Sequence, residues 1–204
     1  MAPKRQKTAH GEISGNAADV EADVSIIDPT IFSPSVLADA KASYAAAKPY
    51  THGVVTPLCD DARLRTVQAE MREHLTANFK ETDLFKVLQT GDLVTIDKAD
   101  PSIVPKIPEL LKLRAAIYSP QFRAMVQEMT GCAPLTDRID CSANVYPRSG
   151  HLLCHDDVIG TRCISYIIYL TDPDEKWTAL DGGALELYPV IEPGTPAVDP
   201  TTTL

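Results

Sequence analysis

The sequence predicts an α+β fold built on an antiparallel barrel or jelly roll, with helices ahead of it. Two observations lead there. Four segments with helical spacing or composition precede a cluster of short β-prone runs, and helices followed by strands argue for an α+β layout. The runs are RIDCSANVY at 138–146, RCISYIIYL at 162–170 and ALELY at 184–188. They are short and separated by turn signals, the pattern of a closed or sandwiched antiparallel sheet.

The elements follow in chain order. Residues 1–24 are polar, rich in Gly, Ala and Asp, and without period, so they are expected to be a disordered tail. Asp28-Pro29 and Ser33-Pro34 are turn signals. Residues 35–48 predict a helix from their alanines, with Val36, Leu37, Ala40 and Tyr44 as an apolar stripe and Pro49 as the stop. Residues 53–56 predict a short strand. Residues 61–78 predict a helix capped by Asp60 or Asp61, because Leu64, Val67, Met71, His74 and Leu75 recur at helical spacing. Residues 80–98 predict a strand, a turn at Thr90-Gly91-Asp92 and a second strand. Two helices are expected near 105–116 and 120–130, the latter opened by Ser119-Pro120 and closed by Gly131. All four helices are expected on one face of the sheet. From Pro189 the composition turns to Pro and Thr, and 191–204 predict a loop or tail. The main domain is placed at 25–190.

Composition bounds the function. The 204 residues suffice for one domain with a core, and 44% hydrophobic with 23% charged residues describes a globular protein. Apolar runs fall short of the roughly 20 residues of a membrane span. The start, MAPKRQKTAHGE, has no apolar secretory region. A net charge of −9 argues against direct nucleic-acid binding. Lys4, Arg5 and Lys7 form a small basic cluster, either a solvated tail or an import signal. Five scattered cysteines without a CxxC suggest reduced thiols and a nuclear or cytoplasmic location.

The chemistry concentrates at HDD, residues 155–157, which follow the apolar run Leu152-Leu153-Cys154. His-x-Asp also arises as a surface turn or a helix cap. On an extended strand, however, positions i and i+2 share a face, so His155 and Asp157 are expected to aim at one point while Asp156 faces away. An imidazole and a carboxylate so placed are two-thirds of the 2-His-1-carboxylate triad that holds Fe(II).

Residues 146–189, with CHDD…GTR, the RCISYIIYL strand, Trp177 ahead of Gly182-Gly183, and the LELYP ending, resemble the Fe(II)- and 2-oxoglutarate-dependent prolyl hydroxylases. The CHDD…GTR form looks most like that of the ribosomal prolyl hydroxylases of fungi and animals. The likeness extends weakly upstream through FKVLQTGDL at 85–93. The resemblance implies a double-stranded β-helix, or cupin-like jelly roll. It implies His155 and Asp157 as iron ligands, Tyr169 and Tyr146 near the cosubstrate, and Arg162 near the substrate peptide. It further implies Fe(II), 2-oxoglutarate and the reductant L-ascorbate, and as substrate a proline of a small-subunit ribosomal protein at the decoding centre. β-Strand tyrosines are otherwise half-buried residues with a hydroxyl at the rim. Arg162 otherwise reads as a surface charge, and Trp177 as a cap on the core.

The chain departs from that pattern. No histidine follows Asp157, and no arginine follows Arg162. The distal histidine ligand and the 2-oxoglutarate-binding arginine are therefore expected to be missing, and the β-helix to be incomplete at its C-terminal side. Weak or absent catalysis is the expectation for this polypeptide, with exposed sheet edges and poor stability. The alternative function is a catalytically impaired short form that acts as a binding or regulatory module.

Overall fold

The computed structural model describes residues 23–157, 160 and 162–189, together with the backbone of 202–203. The expectations for 1–22 and for most of 191–204 lie outside the described residues. The elements are α1 (Pro34–Ala46), α2 (Asp61–His74), β1 (Ala77–Glu81), β2 (Phe85–Thr90), α3 (Ile96–Ala99), α4 (Pro108–Ile117), α5 (Pro120–Thr130), β3 (Asn144–Val145), β4 (His151–Leu152), β5 (Glu186–Leu187) and β6 (Thr202–Thr203), with 3₁₀ turns at Pro29–Phe32 and Pro101–Lys106. This is a mixture of helices and antiparallel sheet.

The helices form where the caps say they should. Asp60 accepts from the Arg63 amide at 2.9 Å and opens α2. Ser119, almost fully buried, accepts from the Phe122 amide at 3.1 Å and opens α5. Gly131, at φ 68°, closes α5 in the left-handed conformation. Ile107 cannot cap α4 with a side chain. Glu70 of α2 does it instead, accepting from the Glu109 and Leu110 amides at 3.0 and 2.8 Å. A carboxylate there also suits the positive end of the helix dipole.

The core lies mainly among these helices. Ile26, Val67 and Ile107 are fully buried, and Leu110, Leu113, Ile117, Phe122 and Met125 pack around them. The N-terminal segment is stitched in by an Ile27–Cys59 bridge, with Asp28 N to Leu58 O and Asp60 N to Ile26 O both at 2.9 Å. The helices thus pack chiefly on one another, α1 on α5 and α2 on α4. α1 buries no residue fully and leaves Val36 of its expected stripe exposed, and this helix-on-helix packing corrects the expected layer of helices on one sheet face.

The sheet is built on β2. β1 pairs with one edge from Ala77↔Thr90 to Glu81↔Lys86. Along the other edge β4 pairs at Phe85↔Leu152 and β3 at Leu88↔Val145, both antiparallel. The register slips between these pairings, so 146–150 loop out. Gly150 makes the loop: its amide donates to Pro147 O at 2.7 Å, and a Cβ would come within 2.8 Å of the Pro147 ring and carbonyl.

Several strand expectations are corrected. The hairpin turn lies between β1 and β2, where Thr82 Oγ1 accepts from the Leu84 and Phe85 amides at 3.1 and 3.3 Å. Thr90-Gly91-Asp92 instead ends β2, and the expected second strand there is replaced by the α3 turn. Residues 53–56 form no strand, and only Asn144–Val145 of 138–146 does. Residues 162–170 form no ladder, yet Ile164, Ile168 and Leu170 pack on the core while Tyr169 is 57% exposed. The alternation of the sequence is kept without the strand partner. Thr202–Thr203, expected in a tail, pair with β5.

Candidate metal centre

The loop after β4 carries the site. Leu153 N donates to Leu84 O at 2.9 Å, which carries the β4 contact one residue further and fixes the loop's origin. The His155 ring then folds back, and its Nδ1 sits 2.8 Å from Leu153 O. A carbonyl oxygen only accepts, so Nδ1 donates to it. On the other side of the ring, Nε2 stands at hydrogen-bond distance, 3.0 Å, from Asp157 Oδ1.

His155 and Asp157 converge as expected, but for a different reason. Neither lies in a strand. Asp157 adopts φ 55°, a left-handed conformation uncommon for a residue with a Cβ, and this bend turns its carboxylate back toward the imidazole. Such backbone outliers persist where the surroundings enforce them, and they gather at functional sites. Asp156 between them is exposed.

The pair fits a divalent first-row ion. An imidazole nitrogen and a carboxylate oxygen at this distance are bridged by a proton or, with that proton displaced, by a metal cation. Ligands at right angles and about 2.1 Å from an ion stand about 3.0 Å apart, the separation seen here. The bond from Nδ1 to a backbone carbonyl is the usual support of a metal-binding imidazole. Among the described residues no group of three or more His, Cys, Asp or Glu side chains is placed to hold an ion.

Arg162 joins this pair. Its Nη1 lies 3.9 Å from Asp157 Oδ1, and its Nη2 donates to Asp140 Oδ2 at 2.8 Å. Asp140 and Tyr50 escaped the sequence analysis. Burial raises the Tyr50 hydroxyl pKa, and the negative charges of Asp157 and then Cys154 add to the shift. Tyr50 comes from the loop between α1 and α2 and meets His52 edge-on, with centroids 6.0 Å apart. No spacing or motif links residues 50 or 140 to residue 157, so only the fold could find them.

Tyr146 and Tyr169 form a second neighbourhood. Burial raises the Tyr146 pKa, a hydrogen bond with Asn144 opposes the shift, and Tyr169 adds to it. Tyr169 also lines a cleft of about 240 Å³ with Leu64, Arg65 and Gln68 of α2. Arg65 there is held by Asp61 at 2.9 Å and Asp174 at 2.7 Å. Trp177, expected to cap the core, is 56% exposed; its indole donates to Gly182 O at 2.8 Å and braces the Gly182-Gly183 turn.

Residues 141–204, which include the His155–Asp157 loop, match the 2OG-Fe(II) oxygenase superfamily. The chain resembles the OGFOD1 prolyl hydroxylases. Prolyl 3,4-dihydroxylase OGFOD1 of Ostreococcus tauri is 50% identical over 152 residues, 74% of this chain and 30% of that protein. Prolyl 3-hydroxylase OGFOD1 of Xenopus laevis is 29% identical over 72% of this chain and 26% of that protein. Prolyl 3-hydroxylase sudestada1 of Drosophila melanogaster is 23% identical over 69% of this chain and 24% of that protein. The chain therefore spans less than a third of the length of these relatives. The superfamily implies Fe(II) and 2-oxoglutarate as the cofactors of the matched region.

Proposed function

We propose that this chain carries the iron-binding part of a 2-oxoglutarate-dependent prolyl hydroxylase with a protein substrate, a small-subunit ribosomal protein. The observation that supports it most is the His155–Asp157 pair, closed to 3.0 Å with the far imidazole nitrogen tied to Leu153 O. In this reading His155 Nε2 and Asp157 Oδ1 hold Fe(II). When bound, the iron supplies the means by which dioxygen oxidises both 2-oxoglutarate and substrate, one oxygen atom entering the succinate formed with loss of carbon dioxide and the other a prolyl C–H bond.

The chain's own residues orient the ligands and offer a surface. Leu153 O fixes the imidazole, and Asp157's bend fixes the carboxylate. Tyr146 and Tyr169 are assigned to the cosubstrate side. The exposed apolar side chains Val145, Leu152 and Leu153, on the strands and loop leading to the site, offer a surface for an extended peptide. The reading includes the jelly-roll core of such enzymes, ascorbate as reductant, and a nuclear or cytoplasmic location, for which the basic cluster at Lys4, Arg5 and Lys7 is the support.

The test is the intact mass of small-subunit ribosomal proteins from cells with and without the gene. One of them is expected to lose the mass of one or more oxygen atoms on deletion, and to regain it with the wild-type gene but not with His155→Ala. Unchanged masses contradict the substrate assignment. The alternative is a binding or regulatory module that keeps the fold without the catalysis. It predicts that His155→Ala complements as well as wild type.

A further inference from the structure

Arg162 is turned toward the proposed metal centre, and Asp140 is what turns it. Asp140 is fixed by its backbone: Tyr118, the residue that ends α4, donates its hydroxyl to Asp140 O at 2.8 Å. The following residues are tied to the end of β2 and just beyond, with Leu93 N to Cys141 O at 2.8 Å and both Thr90 N to Ala143 O and Ala143 N to Thr90 Oγ1 at 3.0 Å. From this anchored position Asp140 Oδ2 accepts from Arg162 Nη2 at 2.8 Å. The guanidinium's other nitrogen, Nη1, then stands 3.9 Å from Asp157 Oδ1, the oxygen that faces His155.

We propose that Asp140 is a positioning residue for the metal centre, which acts through Arg162 by holding the guanidinium beside Asp157 but short of direct contact with it. The physical reason is competition for one oxygen. A guanidinium is a fixed fork of donors that seeks carboxylates. With Asp140 charged, the fork is occupied and its outer edge only orients Asp157. With an amide in place of that carboxylate, the Nη2 hydrogen bond loses its opposite charge, and the guanidinium is drawn across the remaining 3.9 Å to Asp157 Oδ1, the nearer carboxylate left to it. The oxygen would then be withdrawn from a metal ion. Exposed ion pairs contribute little to stability, and Asp140's side chain is 76% exposed, so the effect belongs to the site and not to the fold.

This inference rests on His155 and Asp157 binding a metal, and the experiment separates the two claims. Mn(II) is titrated into the purified chain with 2-oxoglutarate present, and free aqua-Mn(II) is followed by electron paramagnetic resonance. His155→Ala tests the centre itself. Asp140→Asn is expected to weaken Mn(II) binding about tenfold, the lower end of the range for residues that support a metal ligand, with an unchanged thermal melt. Placed in an Arg162→Gln background, Asp140→Asn is expected to have no further effect, since it acts only through that arginine. Asp140→Glu is expected to restore most of the affinity. The proposal is overturned if Asp140→Asn binds Mn(II) like wild type, or if it costs the same factor with Arg162→Gln already in place. Binding that is indifferent to His155→Ala removes the centre and the inference together.

Discussion

Asp157 and Gly150 show how single residues shape the site. Asp157 adopts the left-handed bend despite its Cβ, and the bend brings its oxygen to His155. Gly150 is required because Pro147 leaves no room for a Cβ. Gly150→Ala is expected to destabilise the fold by about 1–3 kcal/mol in urea denaturation. Gly91→Ala, where no heavy atom lies within 4 Å of an added Cβ, serves as the neutral control. Equal stability of the two variants contradicts this account of the loop. His155 and Asp157 were legible in the sequence because their spacing is local. The reason for their convergence was not, since a strand and a bent loop bring i and i+2 together equally well. Asp140, Tyr118 and Tyr50 reach the site only through tertiary packing, which leaves no mark in a single sequence.

Among the elements, helices were the more legible. Their caps are short-range chemistry, as Asp60, Ser119 and Gly131 show, and α2, α4 and α5 each bury apolar residues in a shared core. Strand limits failed because a ladder needs a partner: 162–170 alternate in burial yet pair with nothing among the described residues. The α2–α4 contact yields a pH prediction. Hydrogen bonds from Lys112 and then Arg63 hold the Glu109 carboxyl below its ordinary value of 4.5. Arg114 likewise holds Asp97 below 3.8. A lowered folded pKa stabilises the protein above the unfolded value, and the stabilisation is lost as pH falls through the folded value. The melting temperature is therefore expected to drop as pH falls below about 4.5, and Glu109→Gln is expected to flatten that drop. A melt of Glu109→Gln as steep in acid as wild type contradicts this.

For the whole molecule, the helical core and the site communicate through named contacts. Tyr118 at the end of α4 holds Asp140, Asp140 holds Arg162, and Arg162 borders Asp157. On the other side Leu84, at the β1–β2 turn, holds Leu153, whose carbonyl orients His155. The loop is thus suspended between the helices and the sheet. A second set of carboxylates, Asp61, Asp172 and Asp174, is taken up by ion pairs with Arg65 and is not grouped to hold an ion. The most direct measurement distinguishes the two. Substoichiometric Mn(II) is added to the ¹⁵N-labelled chain, and paramagnetic broadening of amide signals is mapped along the sequence. The account predicts broadening centred on 155–157, reaching Tyr50 and Arg162, and abolished by His155→Ala. Broadening centred on Asp61, Asp172 and Asp174, or broadening that survives His155→Ala, contradicts it.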